Sequence, residues 1–99
     1  MFDKLKQLKE LRDQAKDLKS KLAEITVSAQ AEDDKITVVM NGNQEIVSVD
    51  IDASLLIPDQ KEKVQKGLIE AINQASKKAK SEMAKQFQQG NFQMPNFGS

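Results

Sequence analysis

Cysteine, histidine, tryptophan and tyrosine are all missing from this chain of 99 residues. Without cysteine it has neither disulfides nor thiolate metal sites. Without histidine it lacks the commonest general base and metal ligand, and none of its serines can complete a Ser-His-Asp arrangement. The aromatic set is four phenylalanines. A core must therefore be built from Leu, Ile, Val and Ala, and it will be thin, a shortage that small proteins commonly remedy by oligomerising. Arg12 is the only arginine. No apolar run approaches the roughly 20 residues needed to span a bilayer. The opening Met1-Phe2-Asp3-Lys4 lacks the charged-then-apolar pattern of a signal peptide. These absences lead us to expect one intracellular domain with no catalytic residues, no metal, no cofactor, no small-molecule substrate and no membrane partner.

What is present is charge, unevenly placed. The formal net charge is zero. Residues 1–24 hold seven bases and five acids, net +2. Residues 25–59 hold Lys35 against Glu32, Asp33, Asp34, Glu45, Asp50, Asp52 and Asp59, net −6. Residues 60–99 hold seven lysines against Glu62, Glu70 and Glu82, net +4. The divisions follow expected element boundaries, which points to two surfaces of opposite character.

Apolar residues at Leu5, Leu8, Leu11, Ala15, Leu18, Leu22 and Ile25 recur at helical spacing and form a short heptad seam. From Ile25 the period changes to two. Ile25, Val27, Ala29 and Ala31 alternate with polar residues, as do Ile36, Val38 and Met40, and Glu32-Asp33-Asp34 forms a polar turn between them. Asn41-Gly42 is a hairpin signal, because both residues tolerate positive φ. A third strand over about 45–52 places Val47, Val49 and Ile51 on one face and Ser48, Asp50 and Asp52 on the other. Leu55-Leu56-Ile57 is an apolar plug, and Pro58 interrupts the backbone. Asp59 to Glu62 matches a capping box. Val64, Leu68, Ala71, Ile72, Ala75, Ala79 and Met83 then continue a helix to about Phe87, with an alanine face suited to close approach of another helix. Gly67 weakens that helix by about 1 kcal/mol relative to Ala. Residues 88–99 read as a flexible tail after a domain of residues 1–87.

The order is helix, three antiparallel strands, helix, an α+β class. Helices of roughly 36–40 Å outrun strands of about 23 Å. The free ends of the two helices are thus expected side by side as one arm, with the heptad seam between them. Open sheet edges add a reason to expect a homodimer. The arm would gather Lys4, Lys6, Lys9 and Arg12 with Lys77, Lys78, Lys80 and Lys85. Lysines neutralise phosphate without reading sequence. A single arginine argues against base-specific contacts. The plain alternative for such lysines is a solvated helix surface. Asp50 and Asp52 form a carboxylate pair only in the weak sense of sharing a strand face, with no base or nucleophile beside them. Phe87, Phe92, Met94 and Phe97 are either a partner-binding tail or a loose apolar cover.

The stretch 36–42, Ile-Thr-Val-Val-Met-Asn-Gly, followed by Ile46 to Asp52 and by Ser54-Leu55-Leu56, resembles the central block of the YbaB/EbfC family. Leu68 to Ala75 resembles that family's second helix, and Gly90 to Pro95 its Gly/Met/Pro-containing tail. Three departures stand out. Ala53 occupies a position where members often carry Pro, the first helix is rich in Leu and Lys in place of Met and Gln, and the usual glycine between Ala31 and Lys35 is missing. The resemblance implies a tweezer-like homodimer with a continuous central sheet and projecting helical arms. It also implies a bacterial nucleoid-associated protein that binds double-stranded DNA in the cytoplasm with little sequence preference. The rival expectation is a dimeric protein-binding adaptor or chaperone that uses the helical seam and the Phe/Met tail. An enzyme is not expected.

Overall fold

The computed structural model describes residues 2–90. The elements are α1 (Phe2–Glu24), β1 (Thr26–Ala31), β2 (Ile36–Asn41), β3 (Ile46–Ile51) and α2 (Lys61–Gln88), with 3₁₀ turns at Ala53–Leu55 and Pro58–Gln60 ahead of α2. The three strands form one antiparallel sheet in the order β1-β2-β3. The expected helix–sheet–helix order holds. Phe92, Met94 and Phe97 lie outside the described residues.

The core lies between α2 and one face of the sheet. Ala29, Ala31, Ile36, Val38 and Met40 come from β1 and β2, and Ala71, Ala75 and Ala79 from α2, with Leu55 joining them. Pairing sets Ala29 opposite Val38 and Ala31 opposite Ile36, so alternation delivers all of them to one face. Ile36 and Val38 are wholly buried. Removing each from water contributes about 1.5–3 kcal/mol. The alanines serve the sheet and not a second helix. Their short side chains let the α2 backbone settle onto β1 and β2. Gly67 continues the same face, where an added Cβ would come within 2.6 Å of Ile36 Cδ1. Its helix cost is the condition for close packing.

Several local expectations are corrected. No capping box forms: Pro58–Gln60 is a separate 3₁₀ turn, and Gln60 precedes α2 with no side-chain cap. The proline pre-sets a tight turn where a regular first helical turn was expected. Only Leu55 of the apolar plug is buried, while Leu56 and Ile57 face outward. Gly42 does not have positive φ; in that turn Gln44 does, at 61°. The glycine is needed for space, because a Cβ there would lie 2.7 Å from the Leu22 carbonyl oxygen. The polar turn is tighter than composition suggested. Glu32, Asp33 and Asp34 take φ of 54°, 55° and 66° in succession, backbone that Asp tolerates better than most side chains.

Strand β3 is the exposed edge. A bulge between Val39 and Met40 sets Met40 opposite Ile46, which leaves Val47 as the extra residue. Val49 and Ile51 pair with the buried Val38 and Ile36 and so lie on the same sheet face. α2 covers β1 and β2 but not β3. Ile46, Val47 and Val49 are therefore 48%, 57% and 44% exposed.

Candidate nucleic-acid interface

The two helices leave the sheet at one end but do not make a common arm. α2 runs over the sheet as far as Ala79, and only 80–88, about 13 Å of helix, pass its edge. α1 has 23 residues, about 34 Å. It packs chiefly against β2 and makes no substantial interface with α2. Leu5 and Leu8 are 66% and 58% exposed. The molecule is 64 Å long and 27 by 18 Å across, the shape of a sheet with one helix standing off its end. The seam expected between α1 and α2 is thus not formed along the outer half of α1, because α2 spends its length and its alanine face on the sheet.

This arrangement separates the two lysine groups. Lys4, Lys6, Lys9 and Arg12 lie exposed on the projecting half of α1. Lys77 and Lys78 lie over the sheet, where Lys78 Nζ donates to the Ser28 carbonyl at 2.8 Å. Lys80 and Lys85 lie beyond Ala79 on the overhang.

Helical rotation divides the α1 charges further. At 100° per residue, Lys9, Arg12, Lys16 and Lys19 fall on one flank of the leucine stripe, at steps of three, four and three residues. Asp3, Glu10, Asp13, Asp17 and Glu24 fall on the other side, and Lys6 and Lys21 stand among them. Lys4 heads the leucine stripe itself. All four residues of the basic flank are exposed. The ion pairs among the described residues are Lys21–Asp17 and Lys63–Glu32, so no carboxylate engages the flank. Lys16 and Lys19 complete it and were absent from the sequence-derived set. Their i, i+3, i+7 and i+10 spacing from Lys9 was readable there, and they were missed by counting charge in blocks and not around the helix.

The base of α1 is held by the β2–β3 turn. Gly42 N–H is shared by the Leu22 and Ile25 carbonyls at 2.9 and 3.0 Å. Asn43 Nδ2 donates to the Lys19 carbonyl at 2.9 Å. Asn41 Oδ1 accepts from Asn43 N–H and Glu45 N–H, at 2.9 and 3.0 Å, which keeps the turn in shape. Leu22 is buried there.

The two acids of the pair sit in different settings. Asp50 is paired opposite Thr37 within β3. Asp52 lies beyond the strand, and its Oδ1 accepts the Ser54 N–H at 2.8 Å. The Ser54 hydroxyl and then its N–H hold the Asp52 carboxyl below the usual carboxylate range. It is a cap for the 3₁₀ turn.

The sequence profile of the YbaB/EbfC DNA-binding family matches residues 1–94. The chain belongs to this family. A nucleoid-associated protein of Syntrophobacter fumaroxidans is 35% identical over 85 residues, covering 86% of this chain and 76% of the relative. One from Pelotomaculum thermopropionicum is 31% identical over 97 residues, covering 96% and 92%. The crystal structure of an uncharacterized Helicobacter pylori protein superposes with a TM-score of 0.64 at 26% identity, covering 79% of this chain and 82% of that one. The YbaB/EbfC membership agrees with the helix–sheet–helix order, and it makes nucleic acid the first partner against which to weigh the basic flank of α1. No described helix is long and apolar enough to cross a membrane.

Proposed function

We propose that this YbaB/EbfC member is a nucleoid-associated protein of the bacterial cytoplasm. It binds duplex DNA with little sequence preference, as a homodimer, through its basic helices. The observation that carries the reading is the flank Lys9, Arg12, Lys16 and Lys19, unpaired with any carboxylate on the helix that projects from the sheet. Successive members are about 4.5, 6 and 4.5 Å apart along the axis, a spacing on the scale of phosphates along one DNA strand. Lys4 adds to this row, and Lys77, Lys80 and Lys85 supply a separate group of contacts from α2. Lys6, among acids, contributes least, and Lys78 is already engaged by Ser28. With one arginine, base edges are little read.

Random-sequence duplex titrated at several salt concentrations tests the reading. About six phosphate contacts give a log–log slope near −5. The combined variant Lys9→Gln, Arg12→Gln, Lys16→Gln and Lys19→Gln lowers the magnitude of that slope by about 3 to 4, and Lys6→Gln leaves it nearly unchanged. Absence of binding at low salt rejects the DNA reading. The exposed Leu5 and Leu8 favour a second reading, a protein partner docked on the α1 stripe, which predicts no salt-dependent DNA affinity.

A further inference from the structure

We infer that the turn Asn41-Gly42-Asn43 is the positioning element of the α1 arm, with Asn43 the residue that fixes the angle at which the arm leaves the sheet. The inference rests on the DNA reading above for its functional consequence but not for its geometry.

α1 touches little besides β2, so its direction is set at its base, where its last turns meet the sheet. Two hydrogen bonds hold it there from one side. Gly42 N–H reaches the Leu22 carbonyl, and Asn43 Nδ2 reaches the Lys19 carbonyl, at 2.9 Å each. Leu22 and Lys19 are three residues apart, about 4.5 Å along one face of the helix. One point of attachment would leave a pivot; two points along the axis define a tilt. The Gly42 bond lies at the helix end, where carbonyls want partners in any case. The Asn43 bond is different, because the Lys19 carbonyl belongs to the interior of the helix. Helix closure does not require it, which leaves orientation as its effect. Asn43 is itself held by its own N–H on Asn41 Oδ1, and Asn41 is buried. The anchor is thus rigid on the sheet side.

The leverage is large. Lys9 is thirteen residues from Leu22, about 20 Å along the axis. A tilt of about 10° at the base moves Lys9 by about 3.4 Å, the axial step between phosphates of one DNA strand. An arm free to tilt by that amount loses its register with the backbone.

The test uses the absence of native cysteine. Spin labels are placed at Gln7→Cys on α1 and Asn73→Cys on α2, and the labelled chain is diluted with unlabelled protein so that distances are read within one chain. Pulsed electron resonance should give a narrow distribution with native Asn43. It should give a clearly broadened one with Asn43→Ala and with Asn43→Asp, which has nearly the same shape but no amide donor. Gly42→Ala, which forces a Cβ against the Leu22 carbonyl, should shift the mean distance. Circular dichroism establishes that each variant folds. DNA affinity of the Asn43 variants should fall about 3- to 10-fold, the worth of about one hydrogen bond. Unchanged distributions in both Asn43 variants overturn the inference. Broadening without loss of affinity overturns its functional half. If the native chain binds no DNA, the function proposed above fails, and the distance measurement still decides the anchor.

Discussion

At the scale of single residues, two glycines show how contacts reverse a propensity. Gly67 reads as a weak point in a helix, and replacement by Ala would ordinarily gain about 1 kcal/mol. Here the new Cβ would meet Ile36 Cδ1 at 2.6 Å and Glu32 Cγ at 3.0 Å. Ile36 is wholly buried and has little room to move, and overpacking of this kind costs about 1–3 kcal/mol. Gly67→Ala should therefore lower stability by about 1 kcal/mol in urea unfolding; a gain would show that Ile36 repacks freely. Asp52 supplies a second residue-level expectation. Its carboxyl titrates below the usual range because the charged form accepts hydrogen bonds from Ser54. A lowered folded value means that the stabilisation is present above the unfolded pKa and disappears as pH falls through the folded one. Ser54→Ala removes the hydroxyl, the largest cause, and should raise the Asp52 midpoint followed by carboxyl NMR. An unmoved midpoint would assign the shift to the backbone N–H.

At the scale of elements, the sequence was informative wherever a repeat carried the message. The two-residue alternation at Val27, Ala29 and Ala31 and at Ile36, Val38 and Met40 reads directly onto the buried sheet face. The spacing of Ala71, Ala75 and Ala79 marks the buried face of α2. What faces those alanines was misread, because a small-residue stripe suits a sheet as well as a helix. The same holds for the heptad seam of α1: its period was legible, and its partner was not. The lysines tell a similar story. Lys9, Arg12, Lys16 and Lys19 follow helical steps that any reader of the chain can count. That Lys78 reaches the Ser28 carbonyl, fifty positions away, depends on how far α2 advances over β1.

At the scale of the whole molecule, the two sheet edges are unlike. Lys78 crosses the β1 edge and occupies one of its carbonyls, a charged device that discourages further pairing. Among the described residues the β3 edge carries no strand on its outer side, and Ile46, Val47 and Val49 stand exposed beside it. The homodimer proposed above is therefore expected to form through β3, which would join two sheets into one and cover this surface. Sedimentation at micromolar concentration should give a dimer of the 11.1 kDa chain. Val49→Lys should shift it to monomer with the secondary structure retained. A native monomer would reject the dimer, and a dimeric Val49→Lys would move the interface elsewhere.

By itself the sequence determined the elements, their order, the buried face of β1, β2 and α2, and the segregation of charge. Helical and strand periods follow from local backbone hydrogen bonding, and local rules can be read along a chain. Only the tertiary structure decided why Gly42 and Gly67 must lack a side chain, where α2 ends relative to the sheet, and what holds α1 at its base. Each of these depends on atoms brought together from distant parts of the chain: Leu22 against Gly42, Ile36 against Gly67, Asn43 against Lys19. Spacing along the sequence carries no record of such approaches.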